Sequence, residues 1–210
     1  MTADRSQLVN PDLHVFRSEK FHGIVMEAAD FLEKTPLHGV PPVSSFNGIG
    51  VYILYYIGDY EYYQCVSSLH SPDCVRPIYV GKAVPPGWRA GRVSLSAYGK
   101  TLYGRLREHG RSIQQAENLD LQHFRCRFII LQGIETDLIS TIESHLIRTY
   151  QPLWNVVVDG FGNHDPGSGR YNQAPSPWDI LHPGRPWIRR LSGKPPLLLQ
   201  ILDRIKNHTQ

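Results

Sequence analysis

The order of secondary-structure patterns restricts this chain to a small sheet covered by helices. Two segments dense in β-branched and aromatic residues come first, then an amphipathic helix, a third strand-like segment and a second amphipathic helix. The first segment is either one long strand or a hairpin that bends near Gly58. This order predicts an α+β fold with a mostly antiparallel three-stranded sheet flanked by helices. The predicted strands are 50–66, 76–83 and 123–132, and the predicted helices are 101–117 and 135–150.

Further elements lie at both ends of the 210-residue chain. Residues 19–34 predict an amphipathic helix, and residues 195–208 predict a closing helix. Residues 154–158 predict a short strand or an extended segment. Between 159 and about 192 the chain is rich in Gly, Pro, Asn, Trp and Arg, and its aromatic residues favour an ordered arm over a disordered linker.

Positive charge is concentrated in two segments, although the formal net charge is only +3. Residues 76–111 contain eight Lys or Arg and one acidic residue, and residues 160–210 contain seven Lys or Arg and three Asp. Such clustering is typical of a surface that faces nucleic acid, but solvated loops explain it equally well.

The three cysteines indicate a reducing compartment and not a metal site. Cys65, Cys74 and Cys126 have no metal-binding spacing, and their odd number argues against a disulfide framework. We also find no secretory signal pattern and no apolar run long enough to cross a bilayer. We therefore expect a cytoplasmic protein.

Glu143 lies on the apolar arc of the helix predicted at 135–150, beside Ile142 and Leu146. A carboxylate on an apolar face must be paired, protonated or bound to a metal ion. Glu143 is therefore either a metal ligand or one half of a buried ion pair with Lys or Arg.

The helix predicted at 101–117 carries His109 on its apolar stripe, with Arg105 one turn earlier. Both side chains donate hydrogen bonds when charged, so together they favour an anion, and phosphate is the natural one. The alternative is a core histidine beside an arginine whose stem alone is buried. Lys82, after a strand and Gly81, could reach a phosphate, lower the pKa of a neighbouring tyrosine, or be a solvated turn residue.

Together these features resemble the GIY-YIG nuclease family. The segment 50–52 matches the first half-motif, and the segment 79–81 matches the second, followed by the Lys-Ala continuation common in the family. The two helices and a later asparagine complete the pattern. In chain order the matching residues are Tyr52, Tyr79, Lys82, Arg105, His109, Glu143 and Asn155.

Residues 56–58 read Tyr-Ile-Gly, the literal form of the second half-motif, but Tyr56 comes only four residues after Tyr52. The two family tyrosines lie on neighbouring strands, and four residues leave no room for the chain to reverse. We therefore predict that Tyr79 is the second family tyrosine and that Tyr56 is an ordinary strand residue.

The departures from a minimal family member indicate a branch. The gaps before and after Tyr79 are long, His109 stands where many relatives have tyrosine, and both ends carry additions. These features resemble type II restriction endonucleases of bacteria, and in particular enzymes that cut CCGCGG. The resemblance implies one domain over 1–210, with a catalytic core at 48–158, an N-terminal helical extension at 1–47, and a C-terminal arm and helix at 159–210.

The resemblance also implies a chemistry. Glu143 would hold Mg²⁺ or Mn²⁺, and Arg105 would clamp the phosphate of double-stranded DNA. Tyr52 or Tyr79 would take the proton from the attacking water; we favour Tyr52, with Tyr79 and His109 orienting the water, or His109 relaying the proton. Asn155 would hydrogen-bond around Glu143.

A palindromic site implies a homodimer, and a restriction enzyme implies a cognate DNA methyltransferase. Two other functions remain open: a structure-specific repair or recombination nuclease, and a DNA-binding module without catalysis. The side chains that we predict to contact DNA bases are Arg89, Arg92, Lys100, Arg170, Asn172, Gln173 and Arg185.

Overall fold

A four-stranded antiparallel sheet forms the centre of the molecule. The computed structural model describes residues 9–67, 74, 76–88 and 98–208. The strands are β1 (His38–Gly39), β2 (Ile49–Tyr56), β3 (Pro77–Ala83) and β4 (Phe124–Leu131), in the order β1-β4-β2-β3. The predicted α+β class and antiparallel sheet are present, but the three-strand prediction missed β1. A two-residue strand is too short to show any periodicity, and its pairing with β4 alone defines it.

Six α-helices accompany this sheet in the described residues. They are α1 (Glu19–Lys34), α2 (Thr101–Gln115), α3 (Ile139–Tyr150), α4 (Leu153–Val156), α5 (Pro177–Leu181) and α6 (Leu198–His208). No helix in the described part of the chain has the length and apolar composition needed to span a membrane.

Residues 154–158 were predicted to be extended, and the structure shows that this is wrong. Gln151 takes a left-handed conformation at φ +46° and ends α3. The chain then forms α4, in which the amide of Asn155 donates to the carbonyl of Pro152 at 2.9 Å. The valines here favour a strand locally, but the backbone forms helical hydrogen bonds, and the Asn155 side chain rather than a strand meets the outer edge of β3.

Alternation along β2 divides the hydrophobic core into two layers. Tyr52, Leu54 and Tyr56 face a layer covered by α2, α4, α5 and α6. Val51, Ile53 and Tyr55 face a layer covered by α1 and α3. Because β3 is an edge strand, side chains from both layers can meet around it.

Candidate active site

The glycine at position 81 brings the two motif tyrosines together. Across β2 and β3, Tyr52 pairs with Gly81 and Leu54 pairs with Tyr79, so both tyrosines lie on one face with ring centroids 6.2 Å apart. A Cβ atom at position 81 would lie 2.6 Å from Cζ of Tyr52 and 2.9 Å from Cε1 of Tyr79. The missing side chain therefore makes the space that the Tyr52 ring occupies.

Tyr56, from the Tyr-Ile-Gly segment at residues 56–58, lies on β2 itself. Its ring is buried, and its hydroxyl accepts a hydrogen bond from the amide of Tyr60 at 2.9 Å. This tyrosine stabilises the turn after β2, whereas Tyr79 on β3 is the one that adjoins Tyr52.

Helix α2 places His109 against both tyrosines. Nε2 of His109 lies 2.6 Å from the Tyr52 hydroxyl, and the imidazole centroid lies 5.3 Å from that of Tyr79. Burial lowers the pKa of His109 well below 6.5, and the charge of Arg105 lowers it further. Burial also raises the pKa of Tyr52 well above 10. A neutral phenol beside a neutral imidazole can donate to it, so we assign the proton of His109 to Nδ1.

Arg105 lies one turn before His109 and is held from the C-terminal arm. Its Nη2 donates to the carbonyl of Gly162 at 2.9 Å, and its Nη1 donates to Oε2 of Glu108 at 3.2 Å and contacts Nε2 of His164. The Arg105 side chain remains 21% exposed, so an anion from solution can reach the guanidinium.

Glu143 on α3 forms an ion pair with Lys82 on β3, with 2.6 Å between Oε2 and Nζ. The Lys82 ammonium also donates to Oγ of Ser140 at 3.2 Å. The charge of Glu143 raises the pKa of Tyr52 and Tyr79, after the larger effect of burial, so the carboxylate lies within electrostatic reach of both. The ion pair considered from sequence is therefore present, at the edge of the tyrosine cluster.

One carboxylate is a small donor set for a metal ion. The described residues contain no group of three His, Cys, Asp or Glu side chains arranged to hold one. Mg²⁺ in nucleic-acid enzymes commonly uses one or two carboxylates and completes its shell with water and substrate phosphate. Glu143, which is 17% exposed, fits that mode of binding and does not fit a preformed metal cage.

Asn155 holds the outer edge of β3. Its Oδ1 accepts from the amide of Val80 at 2.8 Å, and its Nδ2 donates to the carbonyl of Val80 at 2.9 Å. These groups lie between Tyr79 and Lys82 and point away from the sheet. The expected contact of Asn155 with Glu143 is thus replaced by one that fixes the strand carrying Tyr79.

A turn at residues 160–163 packs against His109 and Tyr79. The ring of Phe161 stacks on His109 with centroids 4.4 Å apart and an interplanar angle of 18°, and it also meets Tyr79 at 5.0 Å. The only sequence signal for this turn is the aromatic content of the arm. The residues that the sequence did not single out are Phe161, Gly162 and His164.

The model of a known family covers most of this chain. The Eco29kI GIY-YIG domain matches residues 44–209, which includes the whole cluster and the C-terminal arm. The chain belongs to this family. It is therefore a GIY-YIG nuclease of the restriction-endonuclease kind, with DNA as its substrate. No curated protein matches the sequence.

The residues predicted to contact DNA divide into four groups. Arg89 and Arg92 lie outside the described residues. Lys100 is exposed and donates to Oγ of Ser45 at 2.9 Å. Three further predicted residues in the arm are exposed, namely Arg170, Asn172 and Gln173.

The prediction for Arg185 is wrong. The residue is only 2% exposed, and its guanidinium is bonded to a carboxylate and to backbone carbonyls inside the arm. A buried arginine whose donors are already used cannot reach a base edge.

Proposed function

We propose that this protein is a type II restriction endonuclease that hydrolyses phosphodiester bonds of double-stranded DNA at a specific palindrome with a divalent metal ion. The observation that carries the proposal is the Tyr52–His109 hydrogen bond, beside Tyr79 and Arg105 and within electrostatic reach of Glu143. Tyr52 and His109 would accept a proton, Arg105 would bind an anion, and Glu143 would supply a carboxylate ligand.

The buried hydrogen bond supports a proton relay. Because burial raises the pKa of Tyr52, a lone phenolate would be a costly base. The Tyr52 hydroxyl can instead accept the proton of the attacking water while its own proton passes to Nε2 of His109. An incoming DNA phosphate adds negative charge that favours the resulting imidazolium. Tyr79, on the same face, would orient the water.

Arg105 and Glu143 act on the phosphate. The part-exposed guanidinium of Arg105 would donate to the non-bridging oxygens and stabilise their developing charge. Mg²⁺ or Mn²⁺, when bound, would supply Lewis-acid stabilisation of the phosphate and of the leaving 3′-oxygen. Lys82 keeps the Glu143 carboxylate oriented at the edge of β3 through their ion pair.

A palindrome requires two sites related by a two-fold axis, so we propose a homodimer with one site per strand. The resemblance of the sequence to enzymes that cut CCGCGG makes such a GC-rich palindrome the first candidate, within a restriction–modification system that includes a cognate methyltransferase. Lys100, Arg170, Asn172 and Gln173 are exposed, and we propose that they contact phosphates or base edges.

The decisive experiment compares Glu143→Ala with Glu135→Ala, an exposed glutamate in the turn before α3. Each variant is incubated with a sequenced plasmid and Mg²⁺, the ends are mapped, and DNA binding is measured without metal. We expect Glu143→Ala to bind DNA but not cut it, and Glu135→Ala to cut at discrete sites like the parent protein.

Cleavage by Glu143→Ala at the parental rate would exclude the proposed metal ligand. A preference for branched DNA over linear duplex would indicate a structure-specific nuclease. Binding by the parent protein without any cleavage would indicate a DNA-binding module.

A further inference from the structure

Within the described residues, the turn at residues 160–163 is the part of the C-terminal arm that contacts both His109 and Arg105. Phe161 stacks on His109, and the carbonyl of Gly162 accepts from Arg105. The turn is closed by a hydrogen bond from the amide of Asn163 to the carbonyl of Gly160 at 3.0 Å. Its position therefore sets the surroundings of two side chains assigned to the chemistry.

The side chain of Arg185 donates to three of the four carbonyls of this turn. Its Nη1 donates to the carbonyls of Phe161 at 3.2 Å and Asn163 at 3.1 Å, and its Nη2 donates to the carbonyl of Gly160 at 3.0 Å. The remaining donors go to Oδ1 of Asp179, at 2.6 Å from Nε and 2.5 Å from Nη2. Together these contacts match the five N–H donors of a guanidinium.

The surroundings of Arg185 favour arginine over any other cation. The guanidinium carbon lies 4.6 Å from the ring centroid of Trp178 and 4.9 Å from that of Trp187, so indoles contact the planar group. The partner Asp179 is itself held by Oγ of Ser176, which donates to Oδ2 at 2.6 Å. A lysine at position 185 would have only three donors and no planar group for the indoles.

We propose that Arg185 is a positioning residue for cleavage, which holds the 160–163 turn so that Phe161 covers His109 and Gly162 directs Arg105. This inference rests on the nuclease function proposed above. Arg185 does not touch the reacting atoms. It acts through the turn, and displacing catalytic groups by about 1 Å can slow a reaction about 100-fold.

The test compares Arg185→Lys with Arg190→Lys. Arg190 lies in the same arm, pairs with Asp165 at 2.6 Å and lies over the ring of Tyr171 at 5.0 Å, but it is exposed and these partners lie outside the turn. We expect Arg185→Lys to lower the single-turnover cleavage rate at saturating DNA about 10- to 100-fold with little change in the Kd for DNA. Arg190→Lys should cleave at the parental rate.

A second readout needs no cleavage. The groups that face His109 are Tyr52, Tyr79 and Phe161, and the positive charges that lower its pKa are those of Arg105, His164 and Arg185. Because Arg185→Lys keeps a positive charge at this position, the direct effect of that charge on His109 is retained. Titration of the His109 imidazole by NMR should show a pKa well below 6.5 in the parent protein and in Arg190→Lys. In Arg185→Lys the pKa should rise towards 6.5, because a displaced Phe161 lets water reach the ring.

The variant Phe161→Leu tests the same route without altering the buried ion pair, in case Arg185→Lys does not fold. It should slow cleavage and raise the His109 pKa in the same direction. A parental rate and an unchanged His109 titration in Arg185→Lys would overturn the proposal, as would no effect of Phe161→Leu on either readout. If the parent protein cuts no DNA, the nuclease proposal fails, while the His109 titration still decides whether Arg185 positions the turn.

Discussion

Two buried tyrosine–histidine pairs lie in the same core layer, on the side of the sheet covered by α2. In one, the hydroxyl of Tyr52 meets Nε2 of His109, and in the other the hydroxyl of Tyr63 meets Nε2 of His182. Burial raises the pKa of both tyrosines and lowers the pKa of both histidines, that of His182 to about 3. By residue type, burial and hydrogen bond, the pairs are alike.

Their surroundings differ. In the Tyr63 pair every polar atom is bonded to a neutral group. Nδ1 of His182 lies 2.8 Å from Oδ1 of Asn118, and the Tyr63 hydroxyl also accepts from Nε1 of Trp154 at 2.8 Å. This pair has no capacity left for a substrate, and it joins the C-terminal arm to the sheet.

The Tyr52 pair adjoins charged groups instead. Arg105 lowers the pKa of both Tyr52 and His109, and Glu143 and Tyr79 raise that of Tyr52. Arg105 is also open to solvent. A buried Tyr–His hydrogen bond is therefore not by itself a catalytic site. It becomes part of one where a solvent-accessible cation and a carboxylate lie next to it.

Phenylalanine substitutions separate the pairs most strongly. Tyr52→Phe removes the relay oxygen, so we expect cleavage to fall about 10²- to 10⁴-fold. Tyr63→Phe should leave the rate per folded molecule unchanged but lower the free energy of unfolding by about 1–3 kcal/mol, because Trp154 and His182 each lose a buried partner. Single-turnover cleavage and urea unfolding of both variants measure this. Comparable rate losses in the two variants would show that the pairs do not differ as described.

Alanine at two glycines gives the next largest contrast. A Cβ at position 81 would lie 2.6 Å from Cζ of Tyr52, and one at position 58 would lie 2.6 Å from Cζ of Tyr56 and Nδ1 of His123. Each substitution should destabilise the fold by about 1–3 kcal/mol through overpacking. Only Gly81→Ala should also slow cleavage, about 10- to 100-fold, because it displaces a site tyrosine. Slower cleavage by folded Gly58→Ala would mean that residues 56–58, which we exclude from the site, belong to it.

The smallest effect concerns acid stability. The folded-state pKa of His182 is depressed to about 3, so the unfolded chain takes up a proton first as the pH falls below its ordinary 6.5. Stability from the neutral histidine is therefore present above pH 6.5 and is lost progressively towards pH 3, with a slope of up to about 1.4 kcal/mol per pH unit. His109 acts in the same direction.

Urea unfolding between pH 7 and pH 4 measures this slope. We expect His182→Gln to be less stable than the parent protein at pH 7 but to lose less stability on acidification. An equal slope in the two proteins would mean that His182 is not neutral in the folded state.

Local sequence periodicity correctly predicts those helices and strands that bury one continuous face. The helix expected at residues 19–34 is α1 (Glu19–Lys34), and the strand expected at 123–132 contains β4 (Phe124–Leu131). Periodicity does not predict elements whose conformation depends on strand pairing or on the direction of the chain, as for β1 and α4. A two-residue strand exists only through its partner, and a valine-rich segment without a partner strand forms helical hydrogen bonds instead.

The candidate site shows the same division. Spacing on two helices singled out His109 and Glu143 as polar residues on apolar faces, and the family motif named both tyrosines. The ion pair of Glu143 with Lys82 was one of two alternatives that the sequence left open. The contact of Asn155 with Val80 could not be read from spacing, because it joins groups 75 positions apart.

Arg185 shows most clearly what the sequence could not predict. Within a basic, Gly- and Pro-rich arm its charge suggested a contact with DNA, because composition reports how many cations a segment has and not where their donors go. The sequence by itself determined the sheet-and-helix class, the motif residues and the family. Tertiary structure decided which Tyr–His pair adjoins charge and which arginine is buried, because both depend on hydrogen bonds and burial between segments far apart in the chain.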